Sequence, residues 1–201
     1  ADRALGDGWT IYCDTCAIVN LHEYFFRTRD TDQLARNYPP MANAMSIIHS
    51  NASALGLVES CFGGADYSDQ MNRPQFDDPR DNRTVSSRLS GVEDAGHLFN
   101  AAHLAGELAG VMKDAVLQTK CVELIQRIEA NFRDIFFDEE AGFLIDAVWP
   151  KDKPTYANRL HKLLSVLSLS GYGELLILED WERMTAFIRN HLSHPDMGLR
   201  C

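Results

Sequence analysis

Residues 91–148 read GVEDAGHLFNAAHLAGELAGVMKDAVLQTKCVELIQRIEANFRDIFFDEEAGFLIDAV, and this stretch decides the fold. Its first part is rich in alanine and glycine, whereas its second part has large apolar residues spaced three or four apart. Those apolar residues are Leu117, Cys121, Leu124, Ile125, Ile128, Phe132 and Ile135. Helical spacing predicts two consecutive helices, over about residues 91–112 and 114–134. An acidic turn at Asp138–Glu140 then leads into a predicted strand at Phe143–Val148.

The rest of the sequence predicts four more helices, so that the chain forms three helical hairpins. The first hairpin covers about residues 9–28 and 33–49, with an interruption near Pro39–Pro40. The last hairpin covers about residues 156–170 and 180–192. Because little strand is predicted, we expect a single all-α domain of 201 residues, made of antiparallel helical hairpins with one short β-hairpin-like segment.

The composition excludes some classes of partner. The formal net charge is −10, so phosphate backbones are repelled and no nucleic acid is expected. No apolar run approaches the roughly 20 residues of a membrane span. An acidic surface is compatible with neutral sugars as substrates but does not select them, and solubility alone is the more common reason for such a charge. The compartment is not fixed by the sequence, although N-x-S/T acceptors at Asn51 and Asn82 favour secretion over the cytoplasm.

Neither a metal nor another cofactor is expected. Cys13–Cys16 is a C-x-x-C within a predicted helix, outside the strand-to-helix context of a redox motif, and no second pair completes a zinc site. Asp77–Asp81 matches the D-D-x-x-D of terpene synthases. However, Pro79 biases Asp78 away from a helical conformation, and a second magnesium motif is missing. Neither motif therefore indicates a cofactor. The cysteines are expected to be buried thiols that pack as small apolar groups.

Several motifs follow one another in the order found in the six-hairpin glycosidases. In that family a helix ends in Y-x-x-T-G-D, followed by G-L-v, a glycine-rich a-D-W, an E-A-N-A-L-x-Y, and an F-F/W-D-E-x-x-G-x-x-x-D. The corresponding segments here are Tyr24–Asp30, Gly56–Val58, Gly63–Tyr67, Glu93–Phe99 and Phe136–Asp146. The chain resembles this superfamily, and especially its α-L-rhamnosidase-like branch, over most of residues 9–194.

The resemblance implies part of an (α/α)6 toroid and the hydrolysis of a terminal α-linked sugar such as L-rhamnose. It further implies an inverting mechanism with two carboxyl groups. Three hairpins would make half of such a ring, and the family's flanking catalytic motifs have no clear counterpart. We therefore expect a fragment of a larger glycosidase domain or a shortened relative. Its exposed inner stripe would be covered by the rest of the barrel or by a second copy. The alternative is a non-catalytic half-toroid that binds carbohydrate or protein.

The candidate catalytic residues are Asp66 and Glu93. Asp66, Tyr67 and Asp69 lie together in a long segment without helical periodicity, and such segments are usually functional or disordered. Glu93 and Asp94 fall in the first turn of a predicted helix, where the dipole stabilises an anion by about 0.3–1 kcal/mol. That favours a base or sugar-binding role for Glu93, although first-turn acids also serve simply to start helices.

Two further residues are candidates for substrate binding. Asn158 stands where the family opens its fifth helix of this set. His161 adjoins a predicted inward position, Leu160, and could line the ring. His97 and His103 are six residues apart on one helix, so they lie on different faces and cannot form an i, i+4 metal pair. We expect both to be surface or hydrogen-bonded core residues.

Overall fold

The computed structural model describes residues 11–58, 90–145, 147–149, 155–158, 175–194 and 198–199. Within them the chain is mainly helical, which confirms the predicted all-α class. The helices are α1 (Ile11–Thr28), α2 (Thr31–Asn51), α3 (Val92–Met112), α4 (Ala115–Phe136) and α5 (Leu178–Phe187), the last continuing as a π-helical turn over Ile188–Leu192.

Two antiparallel hairpins, α1–α2 and α3–α4, lie side by side. Helix α1 packs on α3, and α2 packs on α4. Polar contacts fix the direction of the second pair: the Tyr38 hydroxyl donates to Asp114 at 3.0 Å, and His49 lies 2.9 Å from Glu123 further along. Helices α2 and α4 are therefore parallel, and so are α1 and α3, as expected when hairpins are stacked in register.

Helix α3 is the centre of the core. It is buried on most of its surface, and the alanines at 101, 102, 105 and 109 are fully inaccessible. Small side chains let neighbouring helices approach closely, and a Cβ at Gly106 would already touch the Cβ of Cys121 at 3.4 Å. The alanine-rich pattern thus marks the most enclosed helix, whereas α4 buries only the apolar stripe that its sequence predicts.

The predicted interruption of α2 at Pro39–Pro40 is wrong, since the helix runs through both prolines. Proline at these positions removes the hydrogen bonds to the carbonyls of Ala35 and Arg36. Residues 35, 36, 39 and 40 are all exposed, so water can satisfy those carbonyls. Tyr38 and Met41 are buried on the opposite side and hold the helix to the core. At its start Asp30 caps the helix by accepting from the N–H of Gln33 at 2.9 Å.

Short strands lie near the ends of the helices. The hairpin predicted after α4 is present, with β2 (Phe137–Asp138) paired to β3 (Phe143–Leu144). A three-stranded antiparallel sheet is formed by β1 (Ser90–Gly91), β4 (Ala147–Trp149) and β5 (Thr155–Asn158), in the order β1-β4-β5. At the far end, β6 (Ser193–His194) pairs with β7 (Gly198–Leu199).

Three predicted boundaries in the last third of the chain differ from those in the structure. The expected strand at 143–148 is divided between β3 and β4, which belong to different sheets. Residues 156–158, predicted to begin a helix, lie in β5, and residues 159–174 fall outside the described part. The last helix begins at Leu178 rather than Asp180, and its final turn is π-helical.

A salt-bridged cluster fixes α5 to the end of α4. The carboxylate of Asp180, which is fully buried, accepts two hydrogen bonds from Arg133 at 2.7 and 2.8 Å. Glu139, in the acidic turn, pairs with both Arg133 and Arg183. The two guanidinium groups lie 5.1 and 5.0 Å from the ring centre of Phe137. We assign this cluster a structural role, because every charge in it is matched.

Candidate active site

The first turn of α3 carries two buried carboxylates. Gly91 is the N-cap in an extended conformation, and Glu93 and Asp94 follow as the second and third residues of the helix. Only 6% of Glu93 and 2% of Asp94 is exposed. First-turn acids that only start a helix are normally solvated, whereas buried acids must be held by polar neighbours. Glu93 and Asp94 each take part in interactions within the chain, and the turn encloses two carboxyl groups.

The three-stranded sheet places Asn158 level with this turn. Gly91 pairs with Ala147, and Ala147 pairs in turn with Asn158. Neighbouring strands are about 4.8 Å apart, so the Cα atoms of Gly91 and Asn158 are separated by about 10 Å. A residue expected to open a helix therefore lies in a strand, two strands across from the start of α3. This places it on the same sheet as the carboxylate-bearing turn.

The same end of α3 anchors the segment that carries the other candidate acids. The Ser90 hydroxyl donates to the carbonyl of Val58 at 3.0 Å. Val58 precedes that segment and Ser90 ends it, so the segment begins and ends beside the first turn of α3. Leu57 and Val58 are buried in the core, which fixes the near end of this connection.

His97 is a residue whose environment the sequence analysis did not anticipate. It lies one helical turn after Glu93, on the same side of α3. It is half-buried, and desolvation lowers the pKa of its imidazole below the ordinary value. A neutral imidazole at neutral pH can both donate and accept a hydrogen bond. The sequence signal that indicates this shared face is the i, i+4 spacing between Glu93 and His97.

The remaining candidate residues cannot be placed. Asp66, Tyr67, Asp69 and His161 lie outside the described residues and stay predictions. Of the predicted set, the structure brings together Glu93, Asp94 and the backbone of Asn158.

Neither metal ligation nor a membrane span is found in the part of the chain that the structure describes. Its histidines, cysteines and acids form no group of three that could hold a metal ion. None of the described helices combines the length and the apolarity needed to cross a bilayer.

Comparison with known proteins shows a similarity of fold. No family model matches the sequence, and no curated protein matches it. Among solved structures, the crystal structure of a GH78 family rhamnosidase of Bacillus sp. GL1 matches with a TM-score of 0.58 and 16% sequence identity. The match covers 89% of this chain and 17% of that enzyme. The chain therefore has a rhamnosidase-like helical fold, and it spans about a sixth of the enzyme that it resembles.

Proposed function

We propose that this chain forms part of the catalytic barrel of a glycoside hydrolase that acts on a terminal α-linked sugar, with L-rhamnose as the leading candidate. The observation that carries the proposal is the pair of buried carboxylates at the start of α3, in a fold similar to that of a GH78 rhamnosidase. Burying a carboxyl group costs free energy, and groups buried at such a cost are often those that bind or activate a polar substrate.

In the proposed reaction two carboxyl groups act on opposite sides of the sugar. Glu93, stabilised as an anion by the helix dipole, takes a proton from water while that water attacks the anomeric carbon. Asp66 gives its proton to the leaving oxygen as the glycosidic bond breaks. Because water attacks from the opposite side, the configuration at the anomeric carbon inverts. This requires the two carboxyl groups to lie about 6.5–9.5 Å apart.

The anchoring of the segment from Val58 to Ser90 makes that separation attainable. Asp66 is eight residues beyond Val58, and eight residues reach at most about 28 Å. Val58 is itself held against Ser90, three residues before Glu93. We propose that Tyr67, Asp69, Asp94, Asn158 and His161 bind the sugar hydroxyls or stack on its ring.

Incubation with aryl α-L-rhamnosides and aryl glucosides tests the proposal, with NMR used to identify the anomer first released. We expect hydrolysis of the rhamnoside with inversion. The variants Glu93→Gln and Asp66→Asn should each lower kcat by about 10²–10⁴, the usual contribution of a general acid or base. The matched controls are Glu129→Gln and Asp134→Asn, which alter exposed acids on α4 and should leave turnover unchanged.

Two results would count against the proposal. If Glu93→Gln and Asp66→Asn hydrolyse the substrate as fast as their controls, these residues are not the catalytic pair. If the chain hydrolyses none of the glycosides while remaining folded, the alternative of a non-catalytic module is favoured for this chain.

A further inference from the structure

A groove between α1 and α2 is separate from the turn discussed above. It has a volume of about 420 Å³, and the described residues that line it belong to these two helices. That volume is within the range of about 300–1,000 Å³ typical of small-molecule sites. The groove runs from Asp14 near the start of α1 to Tyr24 and Gln33 near the turn between the helices.

The lining combines an apolar floor with neutral polar side chains and one acid, Asp14. Ile18 and Met41 are buried beneath the groove, and Asn20, Gln33 and Asn37 contribute amide groups along it. Amides donate and accept hydrogen bonds, which is the pairing that a hydroxyl group needs. Of the described residues lining the groove, none is basic. An anionic ligand would therefore meet no opposite charge.

Two of the lining side chains are held in place before any ligand arrives. The hydroxyl of Tyr24 donates to Asp30 at 3.1 Å, which fixes a ring that is 44% exposed. The amide nitrogen of Asn37 donates to the carbonyl of Gln33 at 2.9 Å, which leaves the amide oxygen of Asn37 to accept from a ligand. Such preorganisation lowers the entropy lost when a ligand binds.

We propose that this groove is a binding site for a neutral saccharide of one or two units. A pyranose has an apolar face of C–H groups and a rim of hydroxyls. The C–H face suits the Tyr24 ring and the apolar floor, and the rim suits the amides. The site does not depend on hydrolysis at α3, because the groove shares no residue with the first turn of that helix.

Titration of the ¹⁵N-labelled chain with neutral monosaccharides and disaccharides, followed by NMR, tests the proposal directly. We expect shifts of the side-chain amide signals of Asn20 and Asn37, with a dissociation constant on the order of 1 mM, typical of a small ligand in an open groove. Titration with glucose 6-phosphate should give weaker binding than glucose. Equal or tighter binding of the phosphate would overturn the assignment of a neutral ligand.

Two variants of Tyr24 distinguish the contribution of its ring to binding from that of its hydroxyl. Tyr24→Ala should weaken binding about tenfold, as the loss of an aromatic contact does, whereas Tyr24→Phe should weaken it by less than about threefold. Val122→Ala, an exposed site on α4, is the matched control, and Glu93→Gln should bind as the parent does.

Three results would overturn the proposal. The first is that no sugar shifts the amides of the folded parent chain, a measurement that needs no variant to fold. The second is that Tyr24→Ala binds as tightly as Val122→Ala. The third is that sedimentation shows the parent to be a dimer that Tyr24→Ala dissociates, because the groove would then be a contact between copies of the chain.

Discussion

Gly56 is a position where an added methyl group should strongly destabilise the fold. Its φ is +77°, and a Cβ placed there would lie 2.8 Å from Cγ1 and 2.9 Å from the backbone nitrogen of Ile128. The side chain of Ile128 could rotate, but its nitrogen belongs to the middle of α4 and cannot move without shifting the helix. Gly56→Ala therefore combines left-handed backbone strain with overpacking against a fixed backbone.

The two costs can be estimated separately. An L-residue in the left-handed region costs about 1–2 kcal/mol, and overpacking a filled core costs about 1–3 kcal/mol. Replacing glycine also restricts the unfolded chain, which returns about 0.4–1 kcal/mol. We expect Gly56→Ala to lower the free energy of unfolding by about 2–4 kcal/mol. The midpoint of thermal unfolding should fall by about 5–15 °C for a chain of this size.

Gly110→Ala is the matched control for this prediction. Gly110 lies within α3, and the nearest atom to an added Cβ is the amide nitrogen of Gln118, the mobile end of a long side chain. Alanine is favoured over glycine in a helix by about 0.5–1 kcal/mol, so this variant should be unchanged or slightly more stable. Gly56→Asn isolates the close approach to Ile128, because asparagine tolerates a positive φ but carries the same Cβ.

Urea unfolding followed by circular dichroism measures all three variants on one scale. The reasoning is refuted if Gly56→Ala is as stable as the parent, or if Gly110→Ala is destabilised to the same extent. A result in which Gly56→Asn is as stable as the parent would show that the close approach to Ile128 is not a clash.

Two further predictions concern buried ionisable groups. Burial alone would raise the pKa of Asp180, but hydrogen bonds from Arg133 and the Ile177 N–H hold it below its ordinary value. The stabilisation is thus present at neutral pH and lost as the pH falls through the lowered pKa. Asp180→Asn should lower the free energy of unfolding by about 2–4 kcal/mol at pH 7, and the variant should lose less stability than the parent as the pH falls below about 4. The exposed control Glu179→Gln should show neither effect. Urea unfolding at several pH values measures both. Burial raises the pKa of the Cys121 thiol to about 12. At pH 8, Ellman's reagent followed by peptide mapping should therefore label the half-buried Cys16 long before Cys121, and equal rates would contradict the buried placement.

The sequence predicted α3 and α4 closely because each carries a signal that only a helix satisfies. The alanines of α3 and the apolar stripe of α4 repeat at helical intervals over about twenty residues. The interruption predicted at the prolines of α2 is wrong because the free-energy cost of the lost hydrogen bonds depends on whether the freed carbonyls are exposed to water. That exposure cannot be read from the sequence. Tyr156 and Asn158 were assigned to a helix because strand β5 is stabilised by pairing with β4, a contact that leaves little local trace.

For the candidate site, the sequence predicted the positions of Glu93 and Asp94 in the first turn of a helix but not their burial. Their burial depends on tertiary structure: β1 leads directly into α3 and pairs with β4, which pairs in turn with β5, so the turn lies at the junction of a sheet and a helix. Acids at an isolated helix start would be solvated and unremarked. The pairing of β1 with β4 joins residues more than fifty positions apart along the chain, a contact that no local sequence signal indicates. Loss of turnover in a variant that disrupts the pairing of Ala147 with Gly91, while leaving both carboxylates in place, would show that their placement matters as much as their charge.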